Sequence, residues 1–183
     1  AVGEELRDQG GLGMLLALAG ILVYLGFRFQ WKFGIGAIVG LFHDVIITLG
    51  VFSFFQFTFD LTVLAAILAI IGYSLNDTIV VFDRIRENFR FLRNTALIDN
   101  INISTTQTLL RTLATSISTL LAVGALLAFG GDNLWGFAFA LFIGITAGTY
   151  SSVYIASIFL IWLKWTVADL IPPVSAEEVV ETP

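Results

Sequence analysis

Long apolar runs without a polar break are the feature that most restricts this chain. Five of them stand out, at about 12–29, 33–55, 61–82, 112–129 and 134–163. A helix needs about 20 apolar residues to cross a hydrocarbon core about 30 Å thick. Inside that core every backbone N–H and C=O must be paired within the protein, so a spanning segment is a helix or part of a closed barrel. Barrel strands read as segments of about ten residues with alternating polarity, and the runs here are continuous and about twice as long. Composition agrees: 57% of the 183 residues are hydrophobic and 13% are charged, against about 25% charged in an ordinary soluble domain. The reading is an all-α, polytopic membrane bundle of five transmembrane helices. Residues 1–170 would form one membrane domain and 171–183 a polar, acidic tail.

The segment between the third and fourth runs, from Asp83 to Arg111, is too polar to span. Within it Ile85, Phe89 and Leu92 recur at spacings of three and four among Asp83, Arg84, Arg86, Glu87, Arg90 and Arg93. That pattern predicts an amphipathic helix lying at the cytoplasmic surface. Basic residues orient the bundle. Arg28, Lys32, Arg84, Arg86, Arg90, Arg93, Arg111 and Lys164 fall on one side of a five-span arrangement, and Arg7 falls on the other. The C-terminus is therefore expected in the cytoplasm and the acidic N-terminal stretch outside. An odd number of spans with an outward N-terminus leads us to expect a further helix ahead of Ala1. Trp31, Trp135, Trp162 and Trp165 lie near span ends, as interfacial anchors do.

Several function classes are excluded by what the chain lacks. There is no cysteine, and His43 is the single histidine, which leaves no thiolate or histidine-rich metal site. No Gly-x-Ser-x-Gly, His-Glu-x-x-His or phosphate-binding loop occurs, so no enzyme is expected, and two membrane carboxylates without a protease motif do not make an intramembrane protease. No cofactor and no nucleic-acid partner is expected.

Chemistry is instead expected at ionisable groups inside the spans. A carboxylate at membrane depth costs roughly 2.5–3.5 kcal/mol on insertion scales and persists where it faces protein, a counter-charge or water. Asp77 lies in the third run between Asn76 and Thr78. It either hydrogen-bonds a neighbouring helix or binds and releases a proton or sodium ion. Arg111, at the start of the fourth run, is its expected counter-charge, unless it is an ordinary basic flank that snorkels to the headgroups. Threonine and serine hydroxyls from Thr105 to Thr119 crowd the same region and can bond across helices. Asp44, next to His43 near the middle of the second run, is the third ionisable candidate, structural or in the ion path. Asp83, Arg84, Arg86 and Glu87 form a charged cluster expected to pin the end of the third helix. Gly36-x-x-x-Gly40 and Gly144-x-x-x-Gly148 present small faces that permit close helix approach, within the chain or against another subunit.

The run GYSLNDTIVVFDRIRENFR, from Gly72 to Arg90, closely resembles the signature of the SecF branch of the SecD/SecF protein-export family. VGEELRDQG at the start, YLGFRFQWKFGIGAIVGLFHDVIITLG from Tyr24 to Gly50 and STTQTLLRTLATSISTLL from Ser104 to Leu121 resemble the same family in the same order. The likeness extends to about Lys164. It implies a member of the RND superfamily in which this chain would hold the second to sixth membrane helices, without the first helix and its periplasmic domain. It also implies pairing with SecD, association with YajC and the SecYEG translocon, and a bacterial inner-membrane location. The implied activity is the use of proton or sodium flux to help draw preproteins out of the channel. The family's ion-path aspartate and arginine fall on Asp77 and Arg111, beside Asn76. Two further readings stand beside this: a translocon assembly subunit that conducts no ions, and an RND-type exporter of small molecules or lipids.

Overall fold

A computed structural model of the chain describes residues 2–28, 31–92 and 95–162. Its elements are α1 (Val2–Arg28), α2 (Trp31–Phe54), α3 (Leu61–Phe91), α4 (Leu97–Phe129) and α5 (Asp132–Tyr150). A π-turn over Ser151–Ile155 joins α5 to α6 (Ala156–Trp162), so the last three pieces form one rod. Among the described residues five helices are long and apolar enough to cross a membrane, in agreement with the five-span, all-α reading. Side chains such as Phe27, Leu110 and Phe129 are almost fully exposed. That suits a bundle whose solvent is hydrocarbon, where apolar groups gain nothing by leaving the surface.

Local chemistry sets the helix ends. Asp60 caps α3: its side chain accepts hydrogen bonds from the Val63 N–H at 2.9 Å and the Thr62 hydroxyl at 2.7 Å. These bonds, the backbone one foremost, hold the Asp60 carboxyl below its ordinary pKa. Ahead of it the chain turns at Gln56, which takes a φ of 57°. Between α4 and α5 the reversal runs through Gly131 at a φ of 73°, a left-handed conformation that glycine adopts without a Cβ penalty.

One expected element is corrected. No separate surface helix covers Asp83 to Arg111. The third helix continues to Phe91, and the fourth begins at Leu97. At 1.5 Å per residue, helices of 31 and 33 residues are about 46 and 50 Å long, well beyond a hydrocarbon core about 30 Å thick. The two therefore project past the bilayer as a helical hairpin. The physical reason lies in the register of the apolar residues: Val81, Phe82, Ile85 and Phe89 stay on the buried face that α3 already presents further up. The amphipathic pattern of Ile85, Phe89 and Leu92 thus belongs to the end of the third helix.

The core sits around α3, which packs most extensively on α5. Gly136, Ala140, Gly144 and Gly148 recur every four residues along α5. A methyl group at Gly136 would stand 3.2 Å from Val63, one at Gly144 would overlap Ile70, and one at Gly148 would stand 3.2 Å from Ser74. The expected Gly144/Gly148 face is thus used within the chain. Gly36 faces Phe82 and Leu160, whereas Gly40 has open space beside it. Trp135 stacks on Phe139 and meets Phe57 edge-on, so it is part of an aromatic cluster at the α2–α3 turn. Trp162 is exposed, as an anchor would be. The side chains of Trp31 and Trp165 lie outside the described residues.

Candidate functional site

The side of α3 turned to α4 is polar, whereas the side turned to α5 is apolar except at Ser74. On α4, Asn100, Ser104, Thr108, Thr112 and Ser116 are all buried and recur at a strict spacing of four, which keeps them on one helical face. Asn88 on α3 donates to the Ser104 hydroxyl at 2.8 Å and to the Gln107 side-chain carbonyl at 2.9 Å. Further along, Thr149 of α5 donates to the Ser116 hydroxyl at 2.7 Å, with Tyr73 of α3 at 3.4 Å from the same oxygen. The hydroxyl crowding seen in the sequence is therefore sorted. Thr106, Thr108, Thr115, Ser118 and Thr119 return their hydrogen bonds to their own helix, while Ser104 and Ser116 of the four-residue series accept bonds from other helices.

Asp77 lies on α3 within this setting. It is 5% exposed, and its Oδ2 atom is buried with no hydrogen-bond partner. Thr78 beside it is also buried, while Asn76 is exposed, as the 100° turn between successive helix positions requires. The Arg111 guanidinium acts electrostatically on the Asp77 carboxyl without a direct ion pair between them. Arg111 itself is exposed and lines a cavity of about 240 Å³ with Asp83, Arg84, Glu87, Gln107 and Thr108. The structure thus brings Arg111 up to the charged cluster at the projecting end of α3 and within reach of Asp77.

Asp44 is more deeply enclosed, at 1% exposure on α2. Ser74 of α3 donates to its Oδ2 at 2.5 Å, and Nδ1 of His43 lies 3.1 Å from its Oδ1. The Thr48 hydroxyl closes a bond to the Asp44 backbone carbonyl at 2.8 Å. In the cluster at the far end of α3, Arg84 pairs with Glu87 at 2.8 Å, both about half exposed, a contact worth about 0–1 kcal/mol. Asp83 and Arg86 flank it, half-buried.

Sequence reasoning missed Ser74, Asn88 and Asn100. The four-residue recurrence from Asn100 to Ser116 was available as a signal for Asn100. Nothing in the sequence pointed to Ser74 as the partner of Asp44, since that contact depends on how α2 and α3 are rotated against each other. The two buried carboxylates are not merged into one metal site: among the described residues no group of three or more acidic or histidine side chains could hold a metal ion.

Fold and site together define a polytopic helical membrane protein with ionisable groups enclosed at membrane depth. The family model described as "Protein export membrane protein SecD/SecF, C-terminal" matches residues 1–166, and the chain belongs to that family. It is 71% identical over 182 residues to a protein translocase subunit SecF from Pseudomonas aeruginosa, covering 100% of this chain and 60% of that protein. It is 55% identical over 172 residues to a SecF from Vibrio alginolyticus, covering 94% of this chain and 55% of that one. The chain therefore spans little more than half the length of these relatives. Among solved structures, SecDF from Thermus thermophilus, described as a translocon-associated membrane protein, matches with a TM-score of 0.86 at 47% identity, over 90% of this chain and 23% of that one. A SecDF structure in a super-membrane-facing form matches with a TM-score of 0.83, over 90% and 22%.

Proposed function

We propose that this chain is the membrane domain of a SecF subunit that works with SecD to couple proton or sodium movement to preprotein translocation. The observation that carries the reading is Asp77: a carboxyl group buried in a spanning helix with one oxygen unpartnered and the Arg111 charge within electrostatic reach. Leaving such a group without a hydrogen bond inside hydrocarbon has a free-energy cost of several kcal/mol, which a purely structural carboxyl would have no reason to bear. An oxygen held in reserve for a proton or a sodium ion explains it. Binding the ion weakens the attraction between Asp77 and Arg111, and the α3–α4 pair shifts. The projecting hairpin, with Asp83, Arg84, Arg86 and Glu87 along it, moves with that pair.

SecD, SecYEG, YajC and the preprotein itself are the partners this reading requires. The location is the bacterial inner membrane, with the α3–α4 hairpin and the C-terminus in the cytoplasm. Residues 1–170 make up the membrane domain and 171–183 the tail, whose side chains lie outside the described residues. The test is Asp77→Asn in the full-length protein assembled with SecD. Export that depends on the ion gradient is expected to stop, and ion flux in reconstituted vesicles to stop with it. Export and flux both unchanged would leave a subunit whose membrane carboxylate serves assembly alone.

A further inference from the structure

The second buried carboxylate has a geometry that the ion-coupling reading does not use. Asp44 and Asp77 sit on different helices, and Ser74 shares α3 with Asp77 while bonding to Asp44 on α2. Its hydroxyl donates to Asp44, and it precedes Asp77 on α3 by three residues. Positions three apart on a helix are neighbours, with Cβ atoms about 5–6 Å apart, a gap that one water molecule spans. Asp77 keeps an oxygen free on that helix. On the other flank, His43 touches Asp44 and is 30% exposed, so it reaches the outside of the bundle at the middle of α2.

The packing here suits a proton and not a larger cation. A methyl group at Gly148 would stand 3.2–3.4 Å from Ser74 and from the Asp44 Oδ2 atom, so the glycine backbone closes directly over the pair. A sodium ion would need several oxygens around it at more than 2 Å, whereas a proton needs only the existing hydrogen bond. The same place on the α5 rod is interrupted by the π-turn, and such turns recur at functional sites. Ser151 and Ser152 in that turn are fully buried, and their hydroxyls donate to the Gly148 and Thr149 carbonyls. Facing titratable groups are few. His43 lies beside Asp44 on α2, and Asp77 lies one turn along α3. Tyr73 points to Ser116 on α4. The rod from α5 to α6 carries Asp132 as its one charged residue, at the opposite end, and α1 contributes none from Gly11 to Phe27.

We propose that His43, Asp44 and Ser74 form a proton relay that feeds Asp77 from the side of α2. When Asp44 carries a proton it gives that proton to the Ser74 oxygen while the Ser74 hydroxyl proton leaves through water to the ionised Asp77. In the reverse direction Ser74 gives its hydroxyl proton to an ionised Asp44 and takes one through water from a protonated Asp77. The serine ends each passage unchanged, and one proton has moved between two carboxylates. This deepens the proposed function and rests on it in one respect, that Asp77 is the ion-binding group.

Two measurements on the full-length protein assembled with SecD in lipid test the relay. The first is an infrared titration of buried carboxyl groups. Asp44→Asn is expected to remove one protonated-carboxyl band, Asp77→Asn a different one, and Ser74→Ala to shift the Asp44 band. An Asp44→Asn spectrum identical to that of the parent overturns the relay. The second is proton flux in vesicles. Ser74→Ala is expected to slow it by about a hundredfold, the scale of a lost proton-transfer group, and the parent is expected to slow in heavy water. Flux abolished by Asp77→Asn but unchanged by both Ser74→Ala and Asp44→Asn overturns the relay and leaves the proposed function standing. Flux unchanged by Asp77→Asn overturns the proposed function instead, and the relay with it. Asp44→Asn keeps the side-chain shape, so it supplies a folded variant if Ser74→Ala does not.

Discussion

The two faces of α3 solve the same problem in opposite ways. Toward α5 it sets Val63, Ile70 and Ser74 against glycines and an alanine at four-residue intervals, and the helices meet backbone to side chain. Toward α4 it meets asparagine, serine and threonine side chains, also at four-residue intervals, and the helices are joined by hydrogen bonds. In hydrocarbon there is no hydrophobic drive to bring helices together, so contact must come from close van der Waals packing or from polar bonds. Close packing is intolerant of added volume and therefore rigid. A polar seam has bonds that can exchange partners. The contrast teaches where motion is to be expected: along the α3–α4 seam, whose helices carry Asp77 and Arg111, with the close α3–α5 contact as the frame.

Breaking the frame should have the largest effect on stability. Gly144→Leu forces a side chain into Ile70 and is expected to destabilise the bundle by about 1–3 kcal/mol, the usual range for overpacking, read as earlier unfolding in detergent. Asn88→Ala attacks the polar seam. It removes the donor to Ser104 and Gln107 and is expected to cost about 1–2 kcal/mol, measured by denaturant unfolding. If it instead cost more than Gly144→Leu, the assignment of frame and mobile seam would be reversed.

The outer end of α3 sharpens the comparison, because its cap serves neither face. Asp60→Ala removes the bonds from Val63 and Thr62 and is expected to cost about 1 kcal/mol. The sign of its pH dependence follows from a carboxyl held below the ordinary 3.8. The folded form favours the ionised acid, so the contribution is complete above that value and fades as pH falls below it. Hydrogen exchange at the start of α3, followed on acidification, checks both. The smallest effect is expected at Ser116→Ala, which deletes a shared acceptor for Thr149 and Tyr73. Interhelical bonds of this kind average about 0.6 kcal/mol in membranes, so a loss well above 1 kcal/mol in the same assay would show the seam to be stiffer than the frame contrast allows.

Much of the molecule is legible in its sequence. Membrane insertion is decided by summed apolarity over about 20 residues, a property local in sequence, so five spans, their order and the presence of Asp44 and Asp77 inside them could be read directly. The glycine repeat on α5 could be read as a packing face for the same reason. Which way each helix is turned about its own axis could not, because that depends on neighbours distant in the chain. Only the tertiary structure decided that Asn76 faces out while Asp77 faces in, that Asn100 to Ser116 form the inward series, and that Asp83 to Phe91 extend α3. It also decided that Ser74 meets Asp44. Thirty residues separate those two, and nothing local to either one encodes the meeting; the close seating of α5 on α3, beside the bare backbone at Gly148, leaves the space in which it happens.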